Sequence, residues 1–535
     1  MSQLISLLQQ LDASDNNATA RVAAIEAMQQ IAVQPTSLIS YASKGSLLLI
    51  AEPERLAAIK PKLGTLDCIH TPMVTRLEGH LGEFGAFVET ERGETSLALL
   101  KGDKREHFDL ILDLSATPYW QREMQAFGYF APQDEVALQA ALEQIVEMQG
   151  EFEKPRFFEY SENICAHGRR GLEACRRCLD ACPAEAITSL AEKISVDPFL
   201  CQGGGTCATV CPTGAIRYAY PRLNDTLHRA RRLLQAYREA HGSDATLLIH
   251  DSEYGDEWLQ QHLSQLGGHV LPFVVEEAGS VGIEMWLSSL AFSAQQVVVL
   301  LHPAQAGVKQ VLAEQMAIAH ALLEGMGYDR SRLISLEGQK GIGPLAAVAE
   351  FSDGLNNLPI ASFMLLDEKR YSLRSAVDHL YAHAPQQPEM VAMPPGAPFG
   401  QVNVNKDSCT LCMACVAVCP AEALSDGNDL PKLNFHESSC VQCGLCSKAC
   451  PERAITLESR YVFSGDWAQA QRTLNEEEPF CCTACGKPFA TTSAIKVIQE
   501  KLLGHHMFQS EEQQRRLLMC EDCRVRDMFS KELEA

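Results

Sequence analysis

Several things are missing from this 535-residue sequence, and each absence narrows what the chain can do. No uninterrupted apolar run approaches the roughly 18 residues that a membrane-spanning helix needs. The opening stretch, MSQLISLLQQLD, lacks the basic region and cleavage site of a secretory leader; Leu4, Leu7, Leu8 and Leu11 repeat with helical spacing instead. A soluble, cytoplasmic protein is expected. Positive charge is scarce: 45 Lys and Arg face 68 Asp and Glu, a net charge of −23. That balance argues against nucleic acid as a main partner, and no helix-turn-helix pattern supports a gene regulator. Gly279, Gly282, Gly341 and Gly343 do not form G-x-G-x-x-G after a strand, so a dinucleotide site has little support. No activated nucleophile or pair of catalytic carboxylates stands out, and a stand-alone enzyme is not expected.

Cysteine is what the chain has in excess. All of its 21 cysteines except Cys68 fall in clusters with ligand-like spacing, which in a reducing compartment reads as metal binding. The stretch 409–451 is the most regular. Cys409, Cys412 and Cys415 precede Cys419-Pro420, and Cys440, Cys443 and Cys446 precede Cys450-Pro451. This is the two-cluster ferredoxin run, in which the fourth Cys of each motif ligates the other cluster. One [4Fe–4S] cubane then takes Cys409, Cys412, Cys415 and Cys450, and the other takes Cys440, Cys443, Cys446 and Cys419. Zinc sites would show two pairs of ligands, not two sets of four ending in Cys-Pro.

A second, irregular ferredoxin-like unit is expected over 151–221. Nine residues separate Cys165 from Cys175, which is followed by Cys178 and Cys182-Pro183; Cys201, Cys207 and Cys211-Pro212 come next. Ala186-Ile187, Ala215-Ile216 and Ala454-Ile455 repeat after the Cys-Pro turns. Two positions deviate. A seven-residue insertion containing His167 and Gly171 separates Cys165 from Cys175, and Gly204 stands where the second half should have a cysteine. By the exchange rule one cluster uses Cys165, Cys175, Cys178 and Cys211. The other is left with Cys182, Cys201 and Cys207, a [3Fe–4S] or open-site [4Fe–4S] centre, with His167 a less favoured substitute ligand. Three [4Fe–4S] clusters and one such centre are therefore expected in the chain.

The remaining segments carry less signal. Residues 1–150 read as a small N-terminal α/β domain, with strands at 46–50 and 107–114, a hairpin near Arg92-Gly93 and a helix over 133–148. Cys68 is an ordinary buried thiol in a strand-like stretch. Residues 222–383 have no cysteine; strands near 245–249, 270–275, 297–301 and 333–336 alternate with helices, which predicts a doubly wound parallel-sheet domain. Arg222, Arg229, Arg231, Arg232 and Arg238 read as a solvated helix face. Residues 384–400, with five prolines, read as a linker before the 401–465 ferredoxin unit. In the tail, 466–535, Cys482-x2-Cys485 and Cys520-x2-Cys523 match a tetrahedral structural zinc site of knuckle type. Iron is the less favoured metal there; Cys481 is left over, and His505 and His506 are competing ligands.

The runs EFEKPRFFEYSENICAHGRRGLEACRRCLDACPAEAI, VDPFLCQGGGTCATVCPTGAI, CGKPFA and MCEDCRV resemble the large cytoplasmic 4Fe–4S ferredoxin-type proteins that accompany bacterial formate dehydrogenases. The resemblance spans about 150–530 and implies electron handling for a formate-oxidising system. Separately, VGIEMWLSSLAFSAQQVVVLL resembles the small electron-transfer subunit of hydrogenases and heterodisulfide reductases, without that subunit's cluster cysteines. The expected function is a relay between a redox enzyme, such as formate dehydrogenase, and a second carrier, such as a small ferredoxin. The alternative is an assembly or maturation factor for a molybdenum or tungsten formate dehydrogenase.

Overall fold

Short apolar strands alternating with helices build two parallel sheets of the same strand order. The computed structural model describes residues 15–64, 66–100, 106–355, 358–428, 430–502, 505 and 508–530. The helix expected around Leu4 and the candidate ligand His506 lie outside the described residues. The first sheet comprises β1 (Ser46–Ile50), β2 (Asp67–Thr71), β3 (Leu110–Asp113) and β4 (Tyr129–Phe130), in the order β2-β1-β3-β4. All its pairings are parallel. Side chains of a strand alternate between faces. Leu47 and Leu49 accordingly enter one core with Leu110 and Leu112, while Leu48, Ile50 and Ile111 enter another. Cys68 lies on β2, half-buried, with its thiol 3.4 Å from the Leu66 carbonyl.

The second sheet repeats that order with β5 (Thr246–Asp251), β6 (Val270–Val275), β7 (Gln296–Leu301) and β8 (Leu333–Glu337), arranged β6-β5-β7-β8. Each strand starts within a residue of its expected position. A parallel sheet is covered on its faces, so its strands read as continuous apolar runs; every residue of β5 and β7 is buried. Helices Leu223–Glu239, Ile283–Ala291, Ala306–Gly325 and Lys369–Ala382 contribute to its core.

Three expectations are corrected here. The helix Asn16–Gln29, assigned by sequence to the N-terminal domain, packs on Leu223–Glu239 and puts Ala20, Ala24, Ile25 and Met28 into the second core. Its buried Arg21 donates to the Gly267 carbonyl at 3.0 Å, which fixes the helix to the loop before β6. The arginines of Leu223–Glu239 are not a solvated face. Arg231 donates to the Phe363 carbonyl at 3.0 Å and Arg238 to that of Leu358 at 2.9 Å. They fasten a loop whose carbonyls have no strand partner. The 384–400 segment is not a free linker: Met390–Ala392 pairs with Ile455–Val462, and Met393, Ala397 and Phe399 are buried in the second core.

Both cysteine-rich units share one plan. Terminal strands pair antiparallel, Phe158–Tyr160 with Ile216–Tyr218 and Gly400–Val404 with Ile455–Val462. A hairpin divides each unit's two halves: Ile187–Leu190 with Lys193–Val196, and Leu424–Gly427 with Leu430–His436. The insertion after Cys165 adds the two-residue strands Gly168–Arg169 and Leu172–Glu173 to the first unit. Among the described residues no helix is long and apolar enough to cross a membrane.

Beyond β6, Glu277 is pushed up from 4.5 to about 7 by burial and by the nearby Asp251, Glu253 and Glu276, against the bond from Gln305. A carboxyl raised on folding contributes stability below its unfolded value, and that contribution is lost as pH climbs from 4.5 to about 7. Glu277→Gln should therefore stabilise the protein at pH 8 by at most about 3 kcal/mol. The gain should shrink steadily toward pH 5 in denaturant titrations.

Candidate metal centres

Each Cys-Pro turn ends in the same backbone conformation. Glu185, Gly214, Glu422 and Arg453 occupy the position two after the proline, and all four have positive φ, between 49° and 74°. This turns the following backbone N–H groups back toward the cysteine. Ala186 N donates to Cys182 Sγ at 3.4 Å and Ala454 N to Cys450 Sγ at 3.3 Å. The cysteine loops repeat as well. Gln442 and Gly444 have φ of 52° and 85°, and Gly203 and Gly205, at the matching places around Gly204, have 81° and 74°. The loop is kept although its middle cysteine is absent.

In the C-terminal unit the structure brings the cysteines together in two groups. One cavity is lined by Cys409, Cys412, Cys415 and Cys450. A second is lined by Cys419, Cys440, Cys443 and Cys446. The last cysteine of each run thus lines the other run's cavity. Gln442 Nε2 adds a donor 3.3 Å from Cys440 Sγ. Burial pushes the thiols of Cys415, Cys440, Cys443 and Cys446 upward, Cys443 to about 11. Neutral thiols at these depths cost less than thiolates, and a cationic cluster reverses that preference. Four convergent sulfurs with amide donors fit a cubane, which supplies one-electron transfer when bound.

The cysteines of the N-terminal unit lie close enough to act on one another. Burial raises the Cys178 thiol, and Cys211, Cys175 and Cys165 add to the rise. Burial likewise raises Cys207, and Cys201, Cys182 and Cys178 add to the rise. His167 is not a free ligand. Its Nδ1 lies 2.7 Å from the Cys175 carbonyl and its Nε2 2.8 Å from Ser189 Oγ, so the ring braces the insertion. Gly204 itself is buried. A Cβ there would lie 2.8 Å from Met124 Sδ and from Pro183 Cγ.

The two units touch. Arg169, in the insertion, donates to the Cys419 carbonyl at 2.9 Å, and Lys448 donates to the Glu173 carbonyl at 2.8 Å. Cys175 of the first unit is among the neighbours that raise Cys443 of the second, after burial itself and Cys419 and Cys440. Arg370 joins them from the second sheet's last helix. It donates to Pro212, Pro398, Ser438 and Cys440 carbonyls at 2.9–3.3 Å. Its neighbour Lys369 donates to Ala208 at 2.9 Å and to Thr209. Sequence reasoning missed Lys369 and Arg370, which are remote in sequence from the cysteine loops they bind, and Met124, which meets Gly204. The insertion it did single out turns out to carry Arg169.

In the tail, Cys482, Cys485, Cys520 and Cys523 place their Sγ atoms within 4.8 Å of one another, a group that could hold a metal ion. Gly486, at φ 73°, closes the knuckle, and its N–H bonds the Cys482 carbonyl at 2.9 Å. Burial pushes the Cys482 thiol up, yet backbone N–H groups of Cys520, Ala484 and Cys485 bring it down to about 6. Bonds to the thiols of Cys485 and Cys520 hold Cys523 up at about 12. Cys481 is exposed and outside the group, and the His505 ring lies tilted against Phe508 with centroids 6.1 Å apart. Thr491 Oγ1 bonds the Thr410 carbonyl at 3.0 Å, seating the tail on the rim of the Cys409 cavity.

Residues 408–455 and residues 173–215 each match a family model described as a 4Fe-4S dicluster domain. No curated protein matches the chain. The protein is an iron–sulfur protein with two 4Fe–4S ferredoxin domains, a class suited to electron transfer.

Arg370→Met keeps the apolar stem but leaves four carbonyls without their charged donor. It should cost on the order of 2–4 kcal/mol in chemical denaturation. Limited proteolysis should then cut between the two units, where the wild-type chain resists.

Proposed function

We propose that the chain relays electrons between a redox enzyme and a second carrier through four iron–sulfur sites set in one row. The row runs from the Cys409 site to the Cys440 site, crosses between Cys443 and Cys175, and ends at the site of Cys182, Cys201 and Cys207. Three sites hold [4Fe–4S] clusters and the last holds the irregular centre. The observation that carries the reading is the crossing, where Arg169 and Lys448 hold the two units edge to edge beside Cys175 and Cys443. A formate dehydrogenase is the enzyme partner favoured by the sequence resemblance, and a small ferredoxin fits the second carrier. The domain division read from the sequence is kept, except that residues 16–29 go to the second sheet's domain and 384–400 is a packed segment, not a linker.

The tail's four cysteines hold structural zinc in this reading. The two C-x2-C pairs and the glycine knuckle support it, as does the absence of a Cys-Pro turn.

Full-length protein added to mature formate dehydrogenase should accelerate reduction of a ferredoxin acceptor severalfold. No acceleration, with formate dehydrogenase activity depending on the protein only during the enzyme's maturation, would contradict the relay. For the tail, a zinc chelator should make 480–530 protease-sensitive while the clusters' visible absorption stays unchanged. Iron and sulfide retained by the tail cysteines would contradict zinc.

A further inference from the structure

The glycine run Gly203-Gly204-Gly205 is pressed from three sides. A Cβ on Gly203 would meet the Phe157 ring at 2.8 Å, and one on Gly205 would lie 2.4 Å from Ser280 Cα. At Gly204 the crowding atoms are Met124 Sδ and Pro183 Cγ, both 2.8 Å from a would-be Cβ. The loop keeps the backbone of a cysteine-bearing ferredoxin loop, so that Cβ marks where the missing ligand would begin. A sulfur from another part of the chain stands beside it. Its delivery is built in: Met124 N donates to the Pro183 carbonyl at 3.0 Å, fixing the 121–125 segment to the turn after Cys182. Thr206 Oγ1 bonds the Ala181 carbonyl at 2.6 Å and holds the loop against that same turn.

We propose that Met124 supplies the fourth ligand of the centre held by Cys182, Cys201 and Cys207, its thioether replacing the cysteine that Gly204 lacks. This rests on the reading of that site as an iron–sulfur centre. Thioether is a soft donor suited to such a centre. It is also neutral, so the site carries one negative charge fewer than its three neighbours. Less negative charge favours the reduced state, which makes this the highest-potential site of the row. A neutral sulfur also binds iron less tightly than a thiolate, and oxidation tests that difference. Ferricyanide takes one electron from the four-iron centre. A corner without a protein ligand then leaves as ferrous ion, and the three remaining irons form an oxidised, paramagnetic three-iron centre.

The test uses the full-length protein, reconstituted without oxygen, as wild type and as Met124→Leu, which keeps the volume and removes the sulfur. After mild ferricyanide treatment the wild-type chain should keep its iron and show little three-iron signal in electron paramagnetic resonance. Met124→Leu should lose about one iron per chain and show close to one three-iron spin per chain. Its centre should also shift in reduction potential while those of the other sites stay fixed. Equal iron retention and equal potentials in the two proteins would overturn the proposal, as would loss of one iron from the wild type under the same treatment. That wild-type result decides the matter even if Met124→Leu fails to fold. Failure of the underlying reading looks different: Cys201→Ala would then leave the iron content of the chain unchanged before any oxidation.

Discussion

Electron transfer along protein-bound clusters requires that neighbouring sites be held close and in fixed geometry, and in this chain that requirement falls on the seam between two ferredoxin units. The seam is polar. Arg169, Lys448 and Arg370 all donate to backbone carbonyls of cysteine-bearing loops or their neighbours, not to carboxylates. A carbonyl is satisfied by the cation without cancelling its charge, so net positive charge stays beside the sulfurs. In a chain of net charge −23 that local excess offsets the negative charge of thiolate-bound clusters. Lys154 does the same at the far site, donating to the Phe199 and Cys201 carbonyls at 2.8 and 2.6 Å.

The parallel-sheet domain then has a mechanical task. Its last helix begins with Lys369 and Arg370, which grip one unit and both units respectively. The proline-rich stretch after it returns into the same core through Met393, Ala397 and Phe399. The two units are thus locked on a common scaffold, and a relay through them needs no swinging linker. Ser280, from the loop after β6, closes over Gly205 and extends that scaffold to the last site.

Much of this was legible in the chain. Cysteine spacing located the two 4Fe–4S units, because cluster ligation demands fixed local spacing. Apolar runs located the strands of both parallel sheets, since strands buried on both faces need no alternation. Other features depend on contacts distant in sequence. Nothing around Asn16–Gln29 says that its Ala20, Ala24 and Met28 stripe belongs to a sheet more than two hundred residues away. The arginines of Leu223–Glu239 have the spacing of a solvated face, and only the loop carbonyls they meet make them structural. Five prolines read as a linker because composition does not register that Met390–Ala392 finds a strand edge. Gly204 signals an absent cysteine, while the residue that meets it, Met124, lies eighty positions earlier in another domain.

The central claim is that the clusters of both units form one row, and magnetic coupling tests it most directly. Full-length protein reduced stepwise with dithionite should show dipolar broadening between a cluster of the 173–215 domain and one of the 408–455 domain, as the bonds from Arg169 to Cys419 and from Lys448 to Glu173 across the seam require. Arg370→Met should weaken that coupling. Reduced spectra that are the plain superposition of two magnetically isolated pairs would contradict the account.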